Sequence, residues 1–128
     1  MVFLEVETER VIGAAIEVHK TLGPGLLEWV YELALEEEFL ARNIVFERQK
    51  PVPIRYRGLI LDTGLRLDFV IARQIVVELK SVERLIDVHE AQVLTYMKLS
   101  GCPVGLLINF NVARLKSGIR RFVRNAPE

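Results

Sequence analysis

Hydrophobic side chains recur at helical spacing in the first third of the chain. Ile12, Ile16 and His19 fall on one stripe, which predicts a helix over residues 5–20. A Leu-Gly-Pro-Gly segment then interrupts the pattern, as such segments do at the ends of helices. A second apolar stripe predicts another helix over residues 26–42. Two helices joined by a short break are therefore expected ahead of any sheet.

Beyond residue 43 the pattern changes to short apolar runs of the kind found in strands. Gly58 separates two such runs and predicts a hairpin, while the Pro-Val-Pro segment at residues 51–53 is compatible only with an edge strand or a kink. Residues 87–99 return to helical spacing, with Asp87 as the expected N-cap. This order predicts an α/β fold with a central mixed β-sheet flanked by helices. The predicted strands cover residues 44–49, 54–56, 59–61, 65–71, 75–80, 104–110 and 115–123.

Two consecutive predicted strands carry charged side chains among apolar ones. Because side chains alternate between the two faces of a strand, Leu67 and Phe69 should share one face and Asp68 should lie on the other. By the same rule Glu78 and Lys80 project together, roughly 7 Å apart along the next strand.

The length of the loop between these strands decides whether Asp68 joins Glu78. A three-residue loop at residues 72–74 would pair Ile71 with Ile75 and set Asp68 directly opposite Glu78 on the same face. A two-residue loop would shift the register by one and place the carboxylates on opposite faces. The three-residue loop is the interpretation adopted, and it brings the two acids within about 5 Å at Cβ.

Two carboxylates at that separation repel each other unless a cation neutralises them. Mg²⁺ or Mn²⁺ takes oxygen ligands and can activate a water for attack on a phosphodiester. Lys80 could then hold that water or neutralise charge on the phosphate. The alternative is an exposed network of Asp68, Glu78 and Lys80 on the surface, which the spacing alone favours because E-x-K is frequent by chance.

Composition and charge narrow the function classes without deciding among them. The 128 residues suit one domain, expected over 1–128, and half of them are hydrophobic, as in an ordinary globular protein. The formal net charge of zero counts mildly against strong non-specific nucleic-acid binding. However, nine acids and two bases lie in residues 1–38, so the remainder is basic by seven. Arg120 and Arg121 belong to a basic C-terminal stretch that is either a phosphate-facing strip or a solvated surface.

The sequence also bears on location. No apolar run reaches the roughly 18–20 residues that span a bilayer, so no membrane association is expected. The acidic N-terminal segment lacks the basic region of a signal peptide. Cys102 is the only cysteine, which excludes an internal disulfide and a thiolate metal cluster. The expected compartment is a reducing cytoplasm.

Several segments together resemble the GxxExxY protein family, a branch of the PD-(D/E)XK nuclease superfamily, over about residues 9–122. Leu67 stands where the superfamily's name has a proline, at a position that varies within that superfamily. The matching segments are G-L-L-E-W-V-Y at residues 25–31, L-D-F-V at 67–70, V-E-L-K at 77–80, A-Q-V-L-T-Y at 91–96 and G-L-L-I-N-F at 105–110.

The resemblance implies a restriction-endonuclease-like core and a divalent-metal site. It implies Asp68 and Glu78 as metal ligands, the carbonyl of Leu79 as a third ligand and Lys80 as the catalytic lysine. It further implies that Glu28, on the first core helix, adds a metal ligand. A helix-dipole interaction at the start of that helix is the alternative for Glu28.

The resemblance also points to residues that would contact substrate. Gln92 and Tyr96 match a Q-x-x-x-Y element that lies near the substrate phosphate, although a core glutamine and a packed tyrosine are the alternatives. His19 is a further candidate phosphate or water contact, with a core or capping role as its alternative.

The function expected is a Mg²⁺- or Mn²⁺-dependent nuclease with nucleic acid as its partner. The alternative is a catalytically silent nucleic-acid or protein binding module on the same fold. A third hypothesis is a structural homodimer or larger oligomer, with Trp29 at the interface.

Overall fold

A computed structural model of the chain describes residues 2–124, so the domain expected over 1–128 extends beyond the described residues at both ends. The helices are α1 Val2–Leu22, α2 Glu28–Ala41 and α3 Asp87–Ser100, the strands are β1 Phe46–Pro51, β2 Ile54–Tyr56, β3 Leu59–Leu61, β4 Arg66–Ile71, β5 Ile75–Lys80, β6 Val104–Asn109 and β7 Ile119–Val123, and a 3₁₀ turn covers Leu115–Gly118.

Five of the strands form one mixed sheet in the order β1-β4-β5-β6-β7. Only β5 and β6 are parallel, and α3 makes the crossover between them. The expected α/β fold with a mixed sheet is confirmed, and so is the edge position of the strand that ends at Pro51. The short strands β2 and β3 form a separate hairpin around Gly58, as the sequence predicts.

One face of the sheet is covered by α1 and α2. Val11, Tyr31 and Phe39 are fully buried there against Phe69 and Ile108. Burial of large apolar side chains on this scale is the main stabilising contribution to a domain of this size. The cluster on this face is the larger of the two hydrophobic clusters.

Of the three helices described, α3 is the one that covers the opposite face, and Val52 and Cys102 from loop segments join its cluster. Val93 and Met97 pack on Val76 and Leu107. At Gly105 on β6, an added Cβ would lie 2.6 Å from the Met97 sulfur, so only glycine allows the helix this close. The crossover helix is thus held against β6 and against β5, the strand that carries Glu78 and Lys80.

The structure corrects three local expectations. The stripe that α1 buries runs through Leu4, Val11 and Val18 and includes Ala14 and Ala15, while Ile16 is 38% exposed. Ile86, not Asp87, is the N-cap of α3, and the His89 ring accepts its backbone N–H. The last predicted strand, over residues 115–123, is shorter in the structure, because Leu115–Gly118 form the 3₁₀ turn and β7 begins at Ile119. Within residues 2–124, no helix has the length and apolar character needed to cross a bilayer.

Candidate active site

The loop between β4 and β5 has the three residues that set the register. Ala72 and Arg73 adopt positive φ values of 51° and 60° and reverse the chain. Ile71 then pairs with Ile75, which confirms the predicted register. The antiparallel pairing continues through two further pairs and ends at Phe69–Val77.

Beyond that pair the two strands separate, and carboxylates take over the hydrogen bonds. The backbone N–H of Asp68 donates to Glu78 Oε2 at 2.8 Å. The backbone N–H of Leu79 donates to Asp68 Oδ2, also at 2.8 Å. Each carboxylate thus accepts a backbone N–H group just beyond the point where the antiparallel pairing ends. The structure therefore brings Asp68 and Glu78 together at the point where the sheet opens.

The kink at this level also changes which face neighbouring side chains occupy. The expected alternation is wrong at Leu67, which packs with Val70 on the α3 side, whereas Phe69 packs on the α1 and α2 side. The β1–β4 pairing omits the position at which Gln49 faces Asp68, and Gln49 has a φ of 53°. The left-handed conformation of Gln49 accompanies the break in alternation.

Burial dominates the electrostatics of the pair. Desolvation, followed by repulsion from Asp68, raises the pKa of Glu78 from 4.5 to about 8. Desolvation also raises the pKa of Asp68 from 3.8 to about 6, against the lowering effect of the hydrogen bond from Leu79. Two carboxyl groups that resist joint ionisation at neutral pH would be neutralised by a bound cation.

Lys80 lies half-buried at the end of β5, and its positive charge acts on both carboxylates. Its charge lowers the pKa of both Asp68 and Glu78, although burial outweighs this effect in each case. The strand ends at Lys80, whose carbonyl accepts the N–H of Phe110 at 2.9 Å. The charge of Lys80 therefore acts on the same opening that holds the carboxylates.

A hydrogen-bonded loop ties the start of α2 to this opening. The Tyr31 hydroxyl donates to the carbonyl of Gly23 at 2.5 Å and accepts the N–H of Leu26 at 3.2 Å. The Ser81 hydroxyl donates to the carbonyl of Leu26 at 2.5 Å, just after β5 ends. These bonds give the G-x-x-E-x-x-Y spacing a physical role, because the tyrosine fixes the loop that leads into the glutamate.

Glu28 is the first residue of α2 and is half-buried. Burial raises its pKa, and Lys80 lowers it, so the two side chains influence each other electrostatically. Glu28 also raises the pKa of Asp68 and of Glu78. The helix therefore adds negative charge to the surroundings of the pair.

Three neighbouring residues that the sequence did not single out also belong to these surroundings. Glu32 is 6% exposed and accepts hydrogen bonds from Arg48 Nε at 2.7 Å and Gln49 Nε2 at 2.9 Å. The same Gln49 nitrogen lies 3.4 Å from Asp68 Oδ1. Gln49 thus bridges a buried glutamate to the carboxylate pair. For Glu32, the sequence did contain a signal, namely helical spacing. Glu32 follows Glu28 by about one turn, on the side that α2 buries.

The helix α3 approaches the pair from the other side. Burial raises the pKa of the Tyr96 hydroxyl, and the charges of Glu78 and Asp68 raise it further. Gln92 is half-buried one turn earlier on the same helix. The stripe that α3 buries is centred on Val93 and Met97, so Gln92 and Tyr96 lie on its flank instead of in its centre.

The remaining predicted contacts are dispersed. His19 is 8% exposed, and its Nε2 forms a 2.8 Å hydrogen bond with the carbonyl of Val112. Arg120 pairs with Glu90 of α3. Arg121 follows Arg120 directly on β7 and so points to the opposite face of the sheet. The structure therefore divides the expected arginine strip.

The donor set at the opening fits a hard divalent cation. Asp68 and Glu78 offer carboxylate oxygens, and Mg²⁺ in nucleotide-processing sites is commonly held by one or two carboxylates together with water and phosphate. Across residues 2–124, no group of three or more His, Cys, Asp or Glu side chains is arranged to hold a metal ion. Glu28 and Glu32 thus surround the pair without forming such a group with it.

Comparison with known proteins agrees with this geometry. No curated protein and no solved structure matches the chain. The family model of the PD-(D/E)XK nuclease superfamily matches residues 5–122, a span that includes α2, the β4–β5 opening and α3. The chain therefore belongs to the PD-(D/E)XK nuclease superfamily.

Proposed function

We propose that the chain is a nuclease of the GxxExxY branch that hydrolyses phosphodiester bonds with Mg²⁺ or Mn²⁺. The observation that carries this proposal is the opening between β4 and β5, where Glu78 accepts the backbone N–H of Asp68 and Asp68 accepts that of Leu79. Burial of two carboxylates costs stability, and a metal-binding function accounts for their retention. Residues 1–128 would act as one nuclease domain.

The proposed metal ligands are Asp68, Glu78 and the carbonyl of Leu79, with Glu28 as a further, outlying carboxylate. The bound metal would supply Lewis acidity and a water of lowered pKa. Lys80 would orient the attacking water and offset charge on the phosphate, a role that fits its position at the end of the strand that carries Glu78. Lys80 as a whole is half-buried.

The proposed substrate contacts lie mainly on the α3 side. Tyr96 is supported by its electrostatic coupling to both carboxylates, and Gln92 precedes it by one turn. Arg120 would hold the phosphate backbone once a phosphate replaces Glu90 as its partner. The Arg120–Glu90 ion pair lies at the surface and contributes little free energy. Arg121 and His19 would act from the opposite side of the sheet.

A catalytically silent binding module is the second candidate. Two observations favour it: the described residues contain no three-carboxylate metal group, and the net charge is zero. In that case the chain would bind nucleic acid or a protein partner without cleaving a bond.

A cleavage assay separates the two candidates. The protein is incubated with single-stranded and duplex DNA and RNA in Mg²⁺, in Mn²⁺ and in EDTA, beside Lys80→Ala and Lys98→Ala. Lys98 is exposed on α3 and serves as the matched control. Metal-dependent cleavage that Lys80→Ala abolishes and Lys98→Ala preserves supports the nuclease. Equal cleavage by the wild type and Lys80→Ala would mean contamination and would contradict the proposal.

A further inference from the structure

The β2–β3 hairpin stands apart from the five-stranded sheet. It consists of three cross-strand pairs, and it belongs to a separate two-stranded sheet. Tyr56, Leu59 and Ile60 are each about 60% exposed. An isolated two-stranded hairpin has little stability of its own in water, so an exposed arm of this kind suggests a contact with another molecule.

The hairpin projects from the end of the sheet at which the carboxylates lie. The N–H of Val52 donates to the carbonyl of Leu65 at 3.1 Å, which extends the β1–β4 register to the base of the arm. Arg66 begins β4 immediately afterwards, and Asp68 is only two residues further, or roughly 7 Å along the strand. A polymer that reached the opening would pass close to the base of the arm.

The arm carries positive charge that the protein itself does not neutralise. Between residues 51 and 66 there are three arginines, Arg55, Arg57 and Arg66, and one acid, Asp62. None of the ion pairs among residues 2–124 involves these arginines, whereas Arg120 is paired with Glu90. Exposed guanidinium groups without a carboxylate partner are suited to phosphate oxygens.

The order of side chains at the tip also fits a nucleic acid. Arg55 and Arg57 flank Tyr56, and all three are exposed. Arg55 points to the opposite face of the strand, whereas Arg57 lies in the turn next to Tyr56. An aromatic ring beside a cation can stack on an unpaired base while the cation contacts the backbone. The apolar face shared by Tyr56 and Leu59 is therefore explained together with the charge beside it.

We infer that the β2–β3 hairpin is an arm that holds the backbone of a nucleic acid as it enters the opening, with Arg57 at the turn on a phosphate and Tyr56 on a base. This inference rests on the proposed function for its choice of nucleic acid as the ligand. It does not require cleavage, because the contacts are made by residues outside the carboxylate pair.

The turn at the tip allows the charge to be removed without loss of fold. Arg57 and Gly58 connect paired residues with φ values of 49° and 84°, a two-residue turn in which Asn-Gly is the favoured sequence. Arg57→Asn should therefore leave the hairpin at least as stable. Arg73 provides the matched control, because it is exposed and also left-handed, with φ of 60°, but lies at the opposite end of β4 and β5.

The experiment measures binding of fluorescein-labelled 20-nucleotide single-stranded and duplex DNA and RNA by anisotropy, in EDTA, at several salt concentrations. Arg57→Asn should weaken binding roughly three- to tenfold and reduce the slope of log K against log salt by about 1, since one phosphate contact is lost. Arg73→Asn should match the wild type. Melting temperatures of both variants should be no lower than that of the wild type.

The outcomes are distinguishable from those of the cleavage assay. Equal affinity of Arg57→Asn and wild type, equal losses in both variants, or no binding by the wild type would each overturn the inference. The alternative partner of the arm is a second copy of the chain. If Arg57→Asn or Tyr56→Ser changed the sedimentation coefficient but not the affinity for oligonucleotides, the arm would be an interface between copies, and the inference would be overturned. Binding without cleavage would contradict the nuclease and leave the arm intact.

Discussion

The two ends of the β4–β5 pair are built from opposite kinds of residues. At the turn, Ile71 faces Ile75 and Val70 faces Val76, and all four are buried in a regular ladder. At the other end the ladder stops, and the side chains of Glu78 and Asp68 accept the backbone N–H groups of Asp68 and Leu79. The same two strands thus form a closed apolar end and an open acidic end.

The apolar end of the strand pair stabilises the fold, whereas the acidic end carries the groups that could take part in chemistry. The closed end gains free energy by removing apolar surface from water. The open end loses free energy because two carboxylates are desolvated beside each other. The opening is therefore a feature that stability alone does not explain, and variants at the two ends should behave in opposite ways.

The largest effect on stability is expected at the closed end. Ile75 is fully buried, so Ile75→Ala should lower the free energy of unfolding by about 2–5 kcal/mol through lost burial and a residual cavity. Urea unfolding followed by circular dichroism measures this change. The folded fraction should still bind Mn²⁺ with wild-type affinity, and a selective loss of Mn²⁺ binding without loss of stability would contradict the division between the ends.

Glu78→Gln, in the same strand, should raise the free energy of unfolding instead of lowering it. The pKa of Glu78 is raised from 4.5 to about 8, so the folded chain holds more protons than the unfolded chain between these values. The free energy of unfolding of the metal-free wild type should therefore be greatest below about pH 4.5 and fall as the pH rises through about 8. The fall should be on the order of 1 kcal/mol or more, and Glu78→Gln should largely remove it.

Denaturant unfolding in EDTA at a series of pH values tests this expectation. The glutamine oxygen can still accept the N–H of Asp68, so a loss of the hydrogen bond does not confound the result. A wild-type stability that rose with pH over this range, or a Glu78→Gln variant with the same pH dependence as the wild type, would be inconsistent with a buried, raised-pKa carboxyl group.

A smaller effect is expected where Gln49 links the opening to α2. Gln49→Gly retains the left-handed backbone but removes the bridge between Glu32 and Asp68, so Mn²⁺ affinity should fall by about tenfold. Arg48→Met is the matched control, because it removes the other partner of Glu32 without touching Asp68. It should lower the melting temperature and leave Mn²⁺ affinity unchanged, and equal affinities in the two variants would show that Gln49 has only a structural role.

The sequence predicted the parts that depend on local rules. Strand alternation and a three-residue loop were sufficient to pair Ile71 with Ile75 and so to bring Asp68 near Glu78. It did not predict that the ladder would open there, because the separation of the strands depends on hydrogen bonds between side chains and backbone across the pair. The face of Leu67 was predicted wrongly for the same reason.

Long-range contacts account for the other differences. Glu32 and Gln49 are 17 residues apart, and only the packing of α2 beside β1 brings them together. His19 finds the carbonyl of Val112, which is 93 residues away, and no spacing rule could predict that partner. Arg120 and Arg121 are a different case, because they lie in a strand that the sequence predicts and the local alternation rule by itself places them on opposite faces of the sheet.

Titration calorimetry of the wild type and Asp68→Asn with Mn²⁺ at pH 7.5 tests whether the open end is a metal site. Asparagine retains an oxygen that can accept the N–H of Leu79, so the local fold should persist. The wild type should bind Mn²⁺ with release of protons, and Asp68→Asn should lose at least about tenfold in affinity. Equal Mn²⁺ affinity in the two proteins would show that the paired carboxylates do not bind the metal.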